Sequence, residues 1–202
     1  MPDALIGPNA IIQVAESIRS RLGPDKLGRV MHAAGLDRFI NSPPAHMVSE
    51  LDVASLHRAV AANVEPSLGV TIMAEAGHRT ACYLLANRIP APARLVLKAL
   101  PAPLASRLLL KAIEKHAWTF AGSSTFRFDA RHPVRISLAG SPMFATPQSR
   151  RLAASYFEAT FETLFRELVS KRARAATSSP PANAEGADGN AAACAFDLIW
   201  NS

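Results

Sequence analysis

The fold turns on His116-Ala117-Trp118-Thr119-Phe120-Ala121-Gly122-Ser123-Ser124-Thr125-Phe126-Arg127-Phe128-Asp129-Ala130-Arg131-His132-Pro133-Val134-Arg135-Ile136-Ser137-Leu138. Upstream of Trp118 apolar residues recur at three- and four-residue spacing, the signature of amphipathic helices. From Trp118 onward the period changes. Phe126 and Phe128 alternate with Arg127 and Asp129, and Val134, Ile136 and Leu138 alternate with Arg135 and Ser137. Alternation places one set of side chains on each face of a strand. Two strands are therefore predicted, with Ala130-Arg131-His132-Pro133 as their hairpin turn.

Working outward toward the N-terminus, Pro101 and Pro103 open a helix that runs to about His116, and Pro90 and Pro92 mark a shorter one before it, since proline fits a first helical turn or a bend. Pro66 starts a longer helix extending to about Arg88, with Leu68, Ile72, Ala76, Thr80 and Leu84 on one face. Asp52 is the expected cap of a helix carrying Leu56 and Val60. Near the start, Ile11, Val14, Ile18 and Leu22 form one stripe, and Gly23-Pro24 divides that helix from a second that Gly35 ends.

Toward the C-terminus the helical period returns from about Pro147 to Arg172, where Ala153, Phe157, Phe161, Leu164, Phe165 and Leu168 form a broad apolar stripe. Residues 175–190 are Ala, Ser, Pro, Gly and Asn with few acids, a composition that reads as a disordered loop. Cys194, Phe196, Leu198 and Trp200 then alternate as a last strand. Helices, two strands, a helix and a returning strand make an α+β fold: N-terminal helices packed on a small antiparallel sheet with a long C-terminal helix. At 202 residues the chain is expected to form a single domain over 1–202, with 1–40 as its N-terminal helical extension.

Composition narrows function. The chain is 49% hydrophobic and 19% charged, with a formal charge of +6, which suits an anionic partner. The basic residues are scattered and no nucleic-acid signature accompanies them, so nucleic acid is not expected as a partner. Two cysteines, Cys82 and Cys194, make no disulfide framework and no CxxC knuckle. Without a signal-peptide pattern or a long uninterrupted apolar run, a cytoplasmic protein with at most peripheral membrane contact is predicted.

No dinucleotide fingerprint, P-loop, GxSxG or HExxH is present. His78 and Cys82 stand four apart on a helix face and could serve a soft metal, but two ligands do not complete a site, and a semi-buried Cys packing as a small hydrophobe is the favoured alternative. Glu75 and Arg79 share that spacing and suit a helix-surface ion pair. Arg107, Lys111 and Lys115 form a basic stripe that is either a solvated face or a docking surface for an anion. His116, Trp118 and Phe120 place an imidazole, an indole and a phenyl ring where helix gives way to strand. A flat ligand can stack on such rings and a neutral imidazole can reach a metal at its centre; the alternative is ordinary core with His116 as a helix C-terminal cap.

Three separated blocks carry a resemblance. They are Ile6-Gly7-Pro8-Asn9-Ala10-Ile11-Ile12-Gln13, Glu75-Ala76-Gly77-His78-Arg79-Thr80 continuing through Tyr83 to Pro90, and His116 to Gly122. Together they resemble the bacteriochlorophyll 4-vinyl reductase family of phototrophic bacteria, from about Ile6 to Val169 and again at Cys194-Ala195-Phe196. The resemblance implies a 4-vinyl reductase domain, similar in fold to TRAPP vesicle-tethering subunits, commonly dimeric and with a hydrophobic ligand cavity. Its Cys pattern is matched here at Cys194 alone, which weakens a paired-Cys metal or redox site.

The resemblance also implies bacteriochlorophyll biosynthesis, with divinyl protochlorophyllide or chlorophyllide as ligand and an 8-vinyl (older 4-vinyl) reduction as the step served. With no redox motif, a carrier is expected that binds no cofactor of its own and takes a Mg-tetrapyrrole as ligand or substrate. The cleft is expected between the 118–128 segment and the long terminal helix, with Trp118, Phe120 and Phe126 against the ring and His116 at the axial Mg contact. Arg79 or Lys111 is expected on the free propionate. Expected partners are a second copy of the chain, enzymes of bacteriochlorophyll synthesis and peripherally the photosynthetic membrane. The alternatives are the reductase itself, fed by a flavin, ferredoxin or nicotinamide, and a ligand-sensing or assembly module.

Overall fold

The structure, a computed structural model, describes residues 4–179 and 193–200. Among these residues two short strands, β1 (Leu5–Ile6) and β2 (Val48–Ser49), pair with each other, and six helices precede the main sheet. These are α1 (Asn9–Ala33), α2 (Glu50–Asn63), α3 (Pro66–Asn87), α4 (Ala91–Ala99), α5 (Ala102–Lys115) and the single turn α6 (Trp118–Ala121). The chain continues through β3 (Thr125–Asp129), β4 (Val134–Ala139), α7 (Pro147–Leu168), β5 (Arg174–Ser178) and β6 (Ala193–Ile199). One cluster of buried apolar side chains, from Ile6 to Trp200, joins both ends of the chain, and the α1 residues Ile11, Val14, Ile18 and Leu27 belong to it.

The expected division of α1 is present as a kink: Gly23 adopts φ +81°, outside the helical region, and Pro24 restarts the helix. Proline likewise occupies the first turn of α3, α4, α5 and α7, where no intrahelical N–H is required. Two boundaries differ from the sequence reading. Ser49, not Asp52, caps α2, its hydroxyl accepting from the Leu51 N–H at 3.2 Å. The long helix stops at Leu168 rather than Arg172, because the chain turns there to enter a strand.

The main sheet is antiparallel in the order β3-β4-β6-β5. Register sets Phe128 opposite Ile136 and Ile136 opposite Phe196, while Phe126, Leu138 and Cys194 form the next row. These rows provide the sheet's apolar side, and Arg135 pairs with Asp197 across β4 and β6 at 2.7 Å and 3.0 Å. The predicted disordered loop over 175–190 is corrected at its beginning, where Ala175 to Ser178 belong to β5. Low apolar content did not prevent a strand because β6 supplies one set of partners and α7 another. Glu162 accepts the Ala175 N–H at 3.0 Å, and Glu158 accepts the Thr177 N–H at 2.8 Å. Edge N–H groups left unpaired would otherwise face solvent or another chain. The stretch 180–190 lies outside the described residues.

Helix α7 is the spine, packing on α3 along one side and on the sheet along the other. The α3 crossing is close. A Cβ on Gly77 would overlap the Tyr156 carbonyl oxygen and lie 2.9 Å from its carbon. The Thr160 hydroxyl reaches the Gly77 carbonyl at 3.1 Å, and Thr80 bonds the Tyr156 hydroxyl at 2.8 Å. On its other side α7 presents Phe157, Phe161 and Phe165 to the sheet and to Phe120, Phe126 and Trp200. The β1–β2 pair is tied to the α6–β3 turn. Glu50, buried at the start of α2, accepts from both the Ser123 N–H and hydroxyl at 2.9 Å. Gly122 adopts φ +58°, and any Cβ there would overlap that carboxylate.

Candidate functional site

Helix α5 is apolar on more than one face. Ala105, Ser106, Leu109 and Leu110 are buried against the body, yet Leu104 and Leu108, also large and apolar, remain about half exposed. Residues spaced i, i+3, i+4 and i+7 share a helical face. Leu104, Arg107, Leu108 and Lys111 are therefore aligned, and with Phe128 and Ala130 at the end of β3 they line a groove of about 360 Å³. Its volume falls at the low end of the roughly 300–1,000 Å³ typical of small-molecule sites. Its floor is apolar and its rim carries two cations.

Those cations have no ion-pair or hydrogen-bond partner among the described residues, and neither does Lys115 one turn on. Arg79 differs sharply. On α3 its guanidinium donates to Glu75 at 2.8 Å and 3.1 Å, and Glu75 also receives Arg21 at 2.6 Å. Hydrogen bonding from Arg79, with Arg21 beside it, holds the Glu75 carboxyl below its usual range despite partial burial. Arg79 is thus committed to a three-residue ion cluster, the helix-surface pair expected from its spacing extended by Arg21. It is not among the residues lining the groove.

Phe120 and Phe126 lie together, with ring centroids 5.8 Å apart, and rest on Phe161 at 6.5 Å each. Phe120 also meets Phe157 at 6.3 Å. The expected cleft between the 118–128 segment and α7 is therefore occupied by the protein's own rings: aromatic packing closes it, and the groove opens instead between α5 and β3. Phe128, 6.2 Å from Phe126, connects the ring cluster to the groove floor. His116 is exposed at the end of α5, where its carbonyl accepts from Thr119. Trp118, 62% exposed, begins α6 beside it.

His78 and Cys82 face each other with Sγ 3.6 Å from Nε2, and the other His78 nitrogen meets the Thr163 hydroxyl at 3.0 Å. Among the described residues no three His, Cys, Asp or Glu side chains converge as a metal site. Cys194 is buried on β6 with its thiol directed at the Arg150 carbonyl, and burial pushes its pKa up to about 12. It stays a protonated thiol near neutral pH, a weak nucleophile. His57 is buried in α2 with Nδ1 unpartnered, and burial, with Arg58 nearby, lowers its pKa to about 4. A second depression of about 300 Å³ lies between the end of α1 and α2, lined largely by alanines such as Ala33, Ala59 and Ala62.

Sequence reasoning reached Lys111 and Arg107, and its expected lining over 118–128 included Phe128, but it missed Leu104, Leu108 and Ala130 as groove residues. A signal was present: leucines on the same face as the basic stripe of α5, opposite leucines already needed for the core.

No family model matches the chain. The bacteriochlorophyll synthase 23 kDa chain of Cereibacter sphaeroides is 40% identical over 164 residues, spanning 81% of this chain and 78% of that protein. The protein of the same name from Rhodobacter capsulatus is 36% identical over 165 residues, spanning 81% and 75%. Among solved structures, an Fe(II) unliganded H-NOX protein mutant from K. algicida superposes with a TM-score of 0.59 at 12% identity, covering 97% of this chain and 98% of that one. A single-residue variant of the Tt H-NOX protein gives 0.53 at 12% identity, covering 98% of each. At that identity the likeness concerns the fold: helices joined to a small antiparallel sheet.

Proposed function

This chain belongs to the bacteriochlorophyll synthase 23 kDa chain family and has a role in bacteriochlorophyll biosynthesis, and from that premise we propose that it binds a divinyl Mg-tetrapyrrole precursor and presents it for 8-vinyl reduction. The observation that carries this reading is the α5–β3 groove, an apolar trough whose rim cations have no partner among the described residues. A chlorin-type ring is flat and apolar and its propionate is anionic. Leu104, Leu108, Phe128 and Ala130 would remove one edge of the ring from water, and Arg107 or Lys111 would orient it by a charge-assisted bond to the propionate.

His116, exposed one turn beyond the groove, is the candidate axial contact for the ligand's Mg, and Trp118 beside it the candidate stacking face. Phe120 and Phe126 support the floor from behind. Arg79 takes no part in this reading, since its guanidinium is already paired with Glu75. An open groove suits a protein that passes its ligand on, because a fully enclosed site would slow release. The chain's own residues offer binding and orientation, and the electrons for reduction would come from an enzyme partner.

The test is titration of the purified protein with divinyl protochlorophyllide, following pigment absorption and fluorescence. A saturable spectral change, weakened in Lys111→Gln and Arg107→Gln, is expected. No change on mixing would end the carrier reading. Vinyl reduction by the isolated protein with a defined donor would replace it with the enzyme itself.

A further inference from the structure

Large apolar side chains left in water are concentrated in one stretch of the chain. Of the eight exposed among the described residues, five lie on three consecutive short helices: Leu95 and Val96 on α4, Leu104 and Leu108 on α5, and Trp118 on α6. Leu95 is 70% exposed and Trp118 62%, degrees of exposure that a free surface pays for in hydration. The same segment holds most of the chain's excess charge. Residues 91–121 contain Arg94, Lys98, Arg107, Lys111 and Lys115 against Glu114 alone, five cations less one carboxylate, or +4 of the chain's formal +6. Lys98 meets Glu167 at 3.8 Å, while Arg107, Lys111 and Lys115 have no partner among the described residues.

We propose that the α4–α6 segment docks the protein on an anionic lipid bilayer surface, with Leu95, Val96 and Trp118 entering the interface and the surrounding cations meeting the headgroups. Charge complementarity selects this occupant. Short amphipathic helices that combine exposed leucine and tryptophan with lysine and arginine bind in the headgroup region, and the attraction grows with anionic lipid. Indole rings favour that depth because they are amphipathic. No helix of the described residues is long and apolar enough to cross a membrane, so attachment would be to the surface. Leu95 and Val96 do not line the α5–β3 groove, so replacing them tests membrane docking apart from pigment binding, while Arg107, Lys111 and Trp118 figure in both readings.

The experiment is sedimentation of the full chain with vesicles of phosphatidylcholine, with and without roughly one-third phosphatidylglycerol. Binding is expected with phosphatidylglycerol and not without it, decreasing as salt rises. Leu95→Asp combined with Val96→Asp replaces two exposed side chains and is expected to weaken binding by roughly tenfold or more, with pigment titration unchanged. Lys115→Gln is expected to weaken it by about fivefold. A second measurement needs no variant: the chain has two tryptophans, Trp200 is buried, and so a blue shift of emission on anionic vesicles would report Trp118. Failure to sediment with anionic vesicles, equal binding to neutral ones, undiminished binding by the double variant, or an unshifted spectrum would each overturn the proposal.

Discussion

Helices α3 and α5 carry similar residue types to opposite ends. In α3, the small residues Gly77 and Thr80 admit α7 to backbone contact, and the cation Arg79 is neutralised by Glu75. In α5, leucines occupy two faces when the core needs one, and Arg107, Lys111 and Lys115 remain unpaired among the described residues. A region built for stability satisfies its polar groups and closes its packing. The side around α5 leaves both incomplete, which is a cost unless something else completes them.

The strongest way to break this contrast is at the crossing. Gly77→Ala forces α3 and α7 apart, and a loss of about 3 kcal/mol or more is expected in urea unfolding. A loss below about 1 kcal/mol would show that the seam adjusts easily and is no tighter than the groove side.

The buried core at α2 should also be sensitive to acid. His57 has its pKa lowered by burial to about 4, so the folded state holds it neutral while the unfolded chain binds a proton below its ordinary value. Stability from this group is complete above about pH 6.5 and falls as pH drops toward 4, by on the order of 3 kcal/mol in total. His57→Leu is expected to flatten the stability profile between those limits, and an unchanged slope would assign the acid sensitivity to other groups.

On the open side the effects invert. Arg107→Gln with Lys111→Gln is expected to leave stability within about 0.5 kcal/mol while weakening pigment binding by at least roughly tenfold, the size of a charge-assisted bond. Unaltered affinity in the titration would remove these cations from the site. The smallest effect belongs to Glu75→Gln, which frees Arg79 and Arg21; surface ion pairs contribute under about 1 kcal/mol. Its thermal melt should barely move, and pigment affinity should not rise, since Arg79 is absent from the groove lining.

Much of the architecture was legible because it follows from short-range chemistry. Proline positions gave the starts of α3, α4, α5 and α7, and the change from a 3.6- to a 2-residue period placed β3 and β4. Trp118 was legible as the place where the helix ends, though it begins one more helical turn before the strand at Thr125. Of the site, Lys111 and the α5 stripe could be seen as a basic helix face. Ala130 could not be assigned to a groove, because nothing local marks a residue just past a strand as lining an opening.

By itself the sequence determined most of the helices, the strands β3, β4 and β6, and the family to which the chain belongs, since these rest on residue periodicity, proline chemistry and identity along the chain. Tertiary structure alone decided that Ala175 to Ser178 form an edge strand, which depends on Glu158 and Glu162 of a distant helix. It alone decided that Phe120 and Phe126 pack where the cleft was expected, and that Arg79 is paired while Lys111 has no partner among the described residues. Partners remote in sequence set packing, hydrogen bonding and charge pairing, and a local pattern contains no record of which partner will arrive.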